Sequence, residues 1–269
     1  MHEKERHRII LSAIQEKPVA TVPELVVMTG ASEATIRRDI AALHTEQRLR
    51  RIRGGAEALI PPKSAGIAGR PYVINETLNI TQKRAIAREA VARCADGEPI
   101  IINGGTTTFQ MVHFLHDHRM PVLTNSFVIA EHLLRHSKTT VSLPGGTIYR
   151  EQNIILSPFE NDVTRNFYAR RMFMGAQGLN PLGLMESDPL LIQAEQKLID
   201  QAEELIVLVD SSKFRQRSSL ILCPLSRISA VITDEGIDDR EARMLETAGV
   251  RLIVARDATA EEKETSRQA

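Results

Sequence analysis

The chain has 269 residues, 42% hydrophobic and 25% charged, with Lys+Arg and Asp+Glu equal at 34 each. That length suits two ordinary globular domains, and zero net charge excludes indiscriminate binding to polyanions, so any basic surface has to be local. The longest apolar runs fall well short of the about 20 residues of a membrane span, and the opening MHEKERHRII is too charged for a secretory signal, so a cytoplasmic protein with no membrane partner is expected.

In chain order, Glu3 to Glu16 reads as a helix with Ile9, Ile10, Ala13 and Ile14 on one side, closed by Lys17-Pro18. Thr21-Val22-Pro23-Glu24 matches a capping box with proline in the first turn, and opens a short helix that runs to Thr29 and offers Leu25, Val26 and Met28 to a core. Gly30 closes it. Ser32 then caps a third helix whose Ile36, Ile40 and Leu43 form an apolar stripe, leaving Thr35, Arg37 and Arg38 outward. Helix, short helix, glycine turn, helix is the pattern of a helix-turn-helix, with Ser32 to Ala42 as the helix that enters a DNA groove. Arg48 to Gly55 alternates basic and apolar residues before a glycine pair, which suits a two-stranded wing. Between Arg37 and Arg53 six arginines face only Asp39 and Glu46, the local basic patch that zero net charge requires. Ser32, Thr35, Arg37, Arg38, Arg50, Arg51 and Arg53 are the candidate contacts to double-stranded operator DNA.

These residues carry a resemblance. The block Val22 to Leu25, then Ser32, the run Thr35-Ile36-Arg37-Arg38-Asp39, Leu43, and Arg51 to Ala56 resembles the winged helix-turn-helix of the DeoR family of bacterial transcriptional repressors over residues 6 to 57. The resemblance implies a DNA-binding regulator, usually a repressor of a sugar-catabolic operon.

Residues 1–59 are thus expected to be the DNA-binding domain. Residues 60–80, with Pro61-Pro62, small residues over 64–69 and Pro71, show no period and read as a linker. Such a connector lets two copies adopt the spacing of two half-sites, so a dimer or tetramer is expected. From Thr81 to Arg256 the pattern changes, and 257–269 reads as a flexible charged tail.

In 81–256, Ile86, Ala87, Ala90, Val91 and Cys94 mark an amphipathic helix. Short apolar runs follow at Pro99 to Ile102, Val122-Leu123, Val141 to Leu143, Met172 to Met174, Leu205 to Val209 and Ala230 to Ile232, each ended by small polar residues and followed by a helical pattern. Repeated strand–loop–helix units imply an α/β domain, a parallel sheet with flanking helices. Ligands of such sheets bind beyond the carboxyl ends of the strands. There Asn103-Gly104-Gly105-Thr106-Thr107-Thr108 offers glycines for close approach and hydroxyls at a helix start, which suits a phosphate. Neither a Walker loop nor GxGxxG is present, so no nucleotide cofactor is expected. Asn125, Ser126 and Gln177 are placed to bond hydroxyls, and Gly145-Gly146 offers another close-approach turn. Glu195 and Lys197 on one helix, and Lys213 just past a strand, are the charged candidates. Cys94 and Cys223 read as core residues, and His113, His116, His118, His132 and His136 lack a matched ligand set, so no metal is assigned.

The second half resembles the same family through Lys83 with Ile86-Ala87, the GGTTT loop, Thr124-Asn125-Ser126, Gly145-Gly146, Glu195-Gln196-Lys197 and Val209 to Phe214. The resemblance implies an effector domain akin in fold to ribose-5-phosphate isomerase that senses a phosphorylated sugar, with GGTTT cradling phosphate and Lys213 at the site; a phosphorylated sugar, sugar acid or polyol is the expected effector. Leu156 to Phe159 and Asp188-Pro189 depart from the commonest pattern and look closer to the ascorbate-operon branch. Two other readings share this architecture, a sugar-phosphate isomerase with an appended DNA-binding domain and an activator.

Overall fold

A computed structural model describes residues 2–16, 19–59 and 78–256. The expected linker, over 60–77, and the expected tail at 257–269 lie outside the described residues. The chain divides into two compact units, Met1–Gly66 and Ile67–Ala269.

In the first unit α1 (Glu3–Glu16), α2 (Val22–Thr29) and α3 (Glu33–Thr45) pack around Ile10, Ile14, Leu25, Ile36, Ile40 and Leu43. The caps form where the residue types demand them. The Thr21 hydroxyl accepts from Glu24 N while the Glu24 carboxylate accepts from Thr21 N at 2.8 Å, Gly30 closes α2 at φ +66°, and Ser32 accepts from Thr35 N. Met28, expected in the core, is 49% exposed beside Val27 at 84%, because α2 is too short to bury more than one stripe. The wing also differs from the expected two strands. β1 (Val19–Thr21) joins β2 (Arg50–Ile52) and β3 (Gly55–Glu57) in the order β1-β3-β2. Three residues carry too little period to announce a strand. Gly55 permits the pairing, since a Cβ there would lie 2.1 Å from the Ala20 carbonyl oxygen.

Among the described residues, the first element of the second unit is α4 (Ile80–Val91). Its sheet holds β4 (Ile100–Ile102), β5 (Pro121–Thr124), β6 (Thr140–Ser142), β9 (Ala169–Met174), β12 (Ala202–Leu208), β14 (Ala230–Asp234) and β15 (Arg251–Ala255), all parallel, in the order β15-β14-β12-β9-β4-β5-β6. Side chains alternate along each strand. Ile100, Ile102, Val122 and Phe173 therefore share one face with Ile86 and Ala90 of α4 and with Ile129 and Leu133 of α6 (Phe127–His136). Ile101, Met172, Met174 and Leu205 face α7 (Pro189–Ile199) and α8 (Asp239–Thr247) through Leu198 and Leu245. This is a three-layer α/β domain.

Helices do not follow every strand as the sequence pattern suggests. Past β6 the chain forms the hairpin of β7 (Thr147–Tyr149) and β8 (Ile154–Leu156), and past β9 the hairpin of β10 (Gly178–Asn180) and β11 (Gly183–Glu186), which β13 (Leu220–Cys223) extends. The second hairpin turns at Asn180-Pro181-Leu182-Gly183. Asn180 Oδ1 accepts from Leu182 N at 2.9 Å, and Gly183 takes φ +137° with a Cβ position 2.2 Å from the Cys223 carbonyl oxygen. The helical pattern expected directly after Gly178 belongs to α7, beyond this hairpin. Cys94 is half-buried, Cys223 buried, and both are free thiols.

Phe173 lies fully buried at the centre of the sheet between β4 and β12. Phe173→Ala is expected to lower the stability of this unit by about 3–5 kcal/mol, read as a fall in the urea midpoint by circular dichroism. A loss below about 1 kcal/mol would contradict this packing.

Candidate functional site

The first candidate surface is the outer side of α3 and the wing. Asp39 turns inward and accepts from Arg6 of α1, Nε at 2.7 Å and Nη2 at 3.1 Å, with His7 Nε2 at 3.3 Å from the same carboxylate. The pair locks α3 onto α1 and removes the acid from the exposed face. Ser32 and Thr35 share a hydroxyl hydrogen bond of 2.9 Å at the start of α3. Arg37 pairs with Glu33 at 2.9 Å, Arg50 Nε with Glu57 at 2.9 Å, and Arg48 with Glu46 at 3.3 Å. Arg38, Arg51 and Arg53 are exposed and make no ion pair among the described residues. Exposed pairs such as Arg37–Glu33 are worth about 0.3–0.5 kcal/mol and exchange readily for a phosphate or a base edge.

The second candidate lies where the sheet reverses its winding. β4 leads to β5 on one side, while β9 begins the run to β12, β14 and β15 on the other. The loops after β4 and β9 therefore diverge and leave a crevice, the position where open α/β sheets bind ligands. Its cavity volume is about 70 Å³, open to solvent on one side. Asn103 to Thr107 form one wall, Gly175 to Gln177 another, and Gln152, Ile154, Glu186, Leu191, Glu195 and Lys213 complete it.

The glycine loop is built for close approach. A Cβ on Gly104 would lie 2.0 Å from Ile154 Cδ1, and the Gly104 N–H is already donated to Asn125 Oδ1 at 2.9 Å. The N–H groups of Gly105, Thr106 and Thr107 stand at the start of α5 (Thr106–Phe109) and have no acceptor among the described residues. α5 has only four residues, so what it offers an anion is these local donors and the Thr106 and Thr107 hydroxyls, with little helix dipole. Lys213 sits on the 3-10 turn Ser211–Arg215, and its Nζ donates to Gln216 Oε1 at 3.2 Å.

The inner wall is acidic. Asn103 Nδ2 donates to Glu195 Oε1 at 2.8 Å, while Glu195 Oε2 and Asn103 Oδ1 have no hydrogen-bond partner among the described residues. Burial, with Glu186 and then Asp188 adding repulsion, pushes the Glu195 carboxyl up to about 8 against the opposing Asn103 bond. Burial also raises Glu186, whose Oε1 accepts from Ser187 N at 2.6 Å and Asp188 N at 3.2 Å.

Of the residues expected at this site, Gly104, Gly105, Thr106, Thr107, Gln177, Glu195 and Lys213 line the crevice. Asn125 lies behind the loop that it holds. Ser126 is buried and caps α6 through Ile129 N at 3.4 Å. Gly145 and Gly146 do not line the crevice, and Gly146 packs on the Leu156 backbone of the β7–β8 hairpin. Lys197 points elsewhere and donates to Phe159 O at 2.9 Å. Asn103, read from the sequence only as the start of the loop, and Glu186, not read as a candidate, also line the crevice. Glu186 ends the apolar run Leu184-Met185, a signal too slight to single out one acid. Among the described residues no group of three or more His, Cys, Asp or Glu is arranged to hold a metal ion. His113 meets His132 edge to face with ring centroids 5.2 Å apart, and His132 meets His136 at a tilt with centroids 4.7 Å apart.

Residues 6–60 match the model of the DeoR-like helix-turn-helix domain, and residues 78–235 match that of the DeoR C terminal sensor domain. The chain is 31% identical over 254 residues to the HTH-type transcriptional regulator UlaR of Shigella dysenteriae serotype 1, which covers 94% of this chain and 99% of that one. The UlaR of Escherichia coli K12 / DH10B is similar to the same extent. Among solved structures, ribose 5-phosphate isomerase A from Methanocaldococcus jannaschii aligns with a TM-score of 0.36 and 18% identity, over 49% of this chain and 53% of that one.

The raised Glu195 carboxyl has a consequence for stability. Below about pH 4.5 folded and unfolded states both hold its proton, whereas from there to about pH 8 only the folded state keeps it. Stability therefore falls as pH rises through this window, by up to about 1.4 kcal/mol per pH unit, the slope for one proton. Glu195→Gln is expected to remove that slope, as measured by urea midpoints from pH 5 to 8. Parallel curves for the two proteins would show that Glu195 ionises normally.

Proposed function

The chain belongs to the DeoR family of transcriptional regulators, and from that premise we propose that it represses a carbohydrate or polyol catabolic operon under the control of a phosphorylated small molecule. The observation that carries this reading is the crevice at the winding reversal, with the free N–H groups of Gly105, Thr106 and Thr107 and the Lys213 ammonium on its wall. Backbone donors and one cation suit a phosphate monoester, and the amide and carboxyl groups deeper in suit hydroxyls. The protein would act in the cytoplasm as a dimer or tetramer, since one helix-turn-helix spans only a few base pairs and specific affinity usually pairs two.

An isomerase reading fares worse. Proton abstraction next to a carbonyl needs an ionised base near neutral pH. Burial shifts Glu195, the carboxyl read from the sequence as that base, toward its protonated form, which disfavours it for the role.

On the DNA side, Arg38 is the candidate base reader, with Arg37 released from Glu33, whereas Arg50, Arg51 and Arg53 would hold phosphates. Arg38→Ala is expected to cost about 1–3 kcal/mol of operator affinity and to relax specificity at one position. Arg51→Ala and Arg53→Ala are each expected to weaken all sequences alike and lower the salt slope by roughly one. Quantitative binding to an operator selected from a random duplex pool measures both. If Arg37→Ala and Arg38→Ala both keep full affinity at moderate salt, α3 does not enter the groove.

On the effector side, a panel of sugar, sugar-acid and polyol phosphates is to be screened by thermal stabilisation, and each hit tested for operator binding. A coupling of about 1–3 kcal/mol, or 5–150-fold in operator affinity, is expected. Lys213→Met should abolish the response at effector concentrations that saturate the wild type. A variant that responds normally would remove Lys213 from the phosphate site.

A further inference from the structure

The 3-10 turn that carries Lys213 into the crevice also puts Phe214 and Arg215 into a second cavity, of about 320 Å³. No residue lines both, and the second volume is in the range of small-molecule sites. Its floor is apolar. Leu179 of β10 is fully buried there, and Phe214 and Met244 of α8 are half-buried against the same core. Arg215, Arg217 and Arg240 stand around that floor. We propose that this cavity binds a small aromatic carboxylate, at a site separate from the crevice and independent of what the crevice holds.

Charge selects a monoanion. Asp238 and Glu241 also line the cavity, but both serve the capping box of α8. Asp238 Oδ1 accepts from Glu241 N at 2.9 Å, and Glu241 Oε2 accepts from Asp238 N at 3.0 Å. The other Glu241 oxygen stands 3.9 Å from Arg215 Nε. Arg217 and Arg240 are exposed and have no ion pair or side-chain hydrogen bond among the described residues. Three arginines against two acids leave one positive charge on the wall, carried by guanidinium forks that match a carboxylate in two-point geometry. The same wall selects a ring over an alkyl body. Phe214 offers edge-to-face or offset stacking, the Met244 thioether suits an aromatic edge, and a guanidinium packs on an aromatic face. A neutral ring would forgo the guanidinium bonds, and a bare anion would forgo burial of the apolar floor.

The test is calorimetry on the full chain at neutral pH with matched pairs of probes. Indole-3-acetate against indole-3-ethanol removes the charge and keeps the ring. Phenylacetate against cyclohexylacetate keeps the charge and saturates the ring, and phenyl phosphate changes the head group. The aromatic carboxylate is expected to bind at least fivefold tighter than its partner in each of the first two pairs, and phenylacetate tighter than phenyl phosphate. The double variant Arg217→Ala, Arg240→Ala is expected to weaken indole-3-acetate at least tenfold, and it keeps its fold because both side chains are exposed and unpaired. Arg243→Ala, on the same helix but outside the cavity wall, is expected to leave affinity within twofold. Equal affinities within either of the first two pairs, or tighter binding of phenyl phosphate, overturn the ligand class. Unchanged affinity in the double variant, or an equal loss in Arg243→Ala, overturns the site. If no aromatic carboxylate binds at millimolar concentration, the proposal fails as a whole.

Discussion

The parallel pairing of β4 with β9 fixes the rest of the sensor unit. Ile100 to Ile102 lie against Arg171 to Phe173, and the register continues past the strand when Asn103 N donates to Phe173 O at 2.9 Å. That last bond holds the start of the glycine loop at the level of the β9 terminus. Because the chain leaves β4 in one direction and β9 in the other, the loops beyond cannot close over each other. Phe173, Ile100 and Ile102 fill one face beneath the crevice and Ile101 and Met172 the other, so the floor is dry and rigid. Core packing and a few hydrogen bonds thus hold the rim, and the N–H groups of Gly105, Thr106 and Thr107 are left without an acceptor among the described residues.

In the first unit the corresponding constraint is the Arg6–Asp39 pair. It sits between two apolar stripes, and its two-point geometry fixes the rotation of α3 about its own axis. Arg38, the residue immediately before Asp39, consequently projects outward. One acid turned inward and its neighbouring arginine turned outward is a simple way to give a helix a strongly cationic outer face without changing the overall charge of the chain.

Much of this was readable from residue types at fixed spacing. The capping box at Thr21, the αL turn at Gly30, the cap at Ser32 and the strands ending in small polar residues are local, and local rules suffice for them. The two hairpins were missed because β7, β8 and β10 are three residues each, below the length at which a period of two declares itself. The crevice was legible in part. Gly104 to Thr107 and Lys213 announce themselves as strand-end residues, but Asn103 meets Glu195 across 92 positions, and no linear pattern encodes that meeting. Lys197 was avoidable: two residues apart on a helix is about 200°, so Glu195 and Lys197 cannot face the same cavity.

The orphaned oxygens at the crevice also bear on how such a sequence can change. Selection for folding alone would replace Glu195 and Asn103 by apolar residues of similar volume, since a hydrophobic pair of that shape is at least as stable as a half-satisfied polar one. Their presence means that the unliganded fold sits below the stability its own scaffold could reach, the familiar opposition between robustness and recognition. Stabilising redesign that ignores ligand binding would therefore favour erasing this wall, and a thermostability screen would report the loss as an improvement.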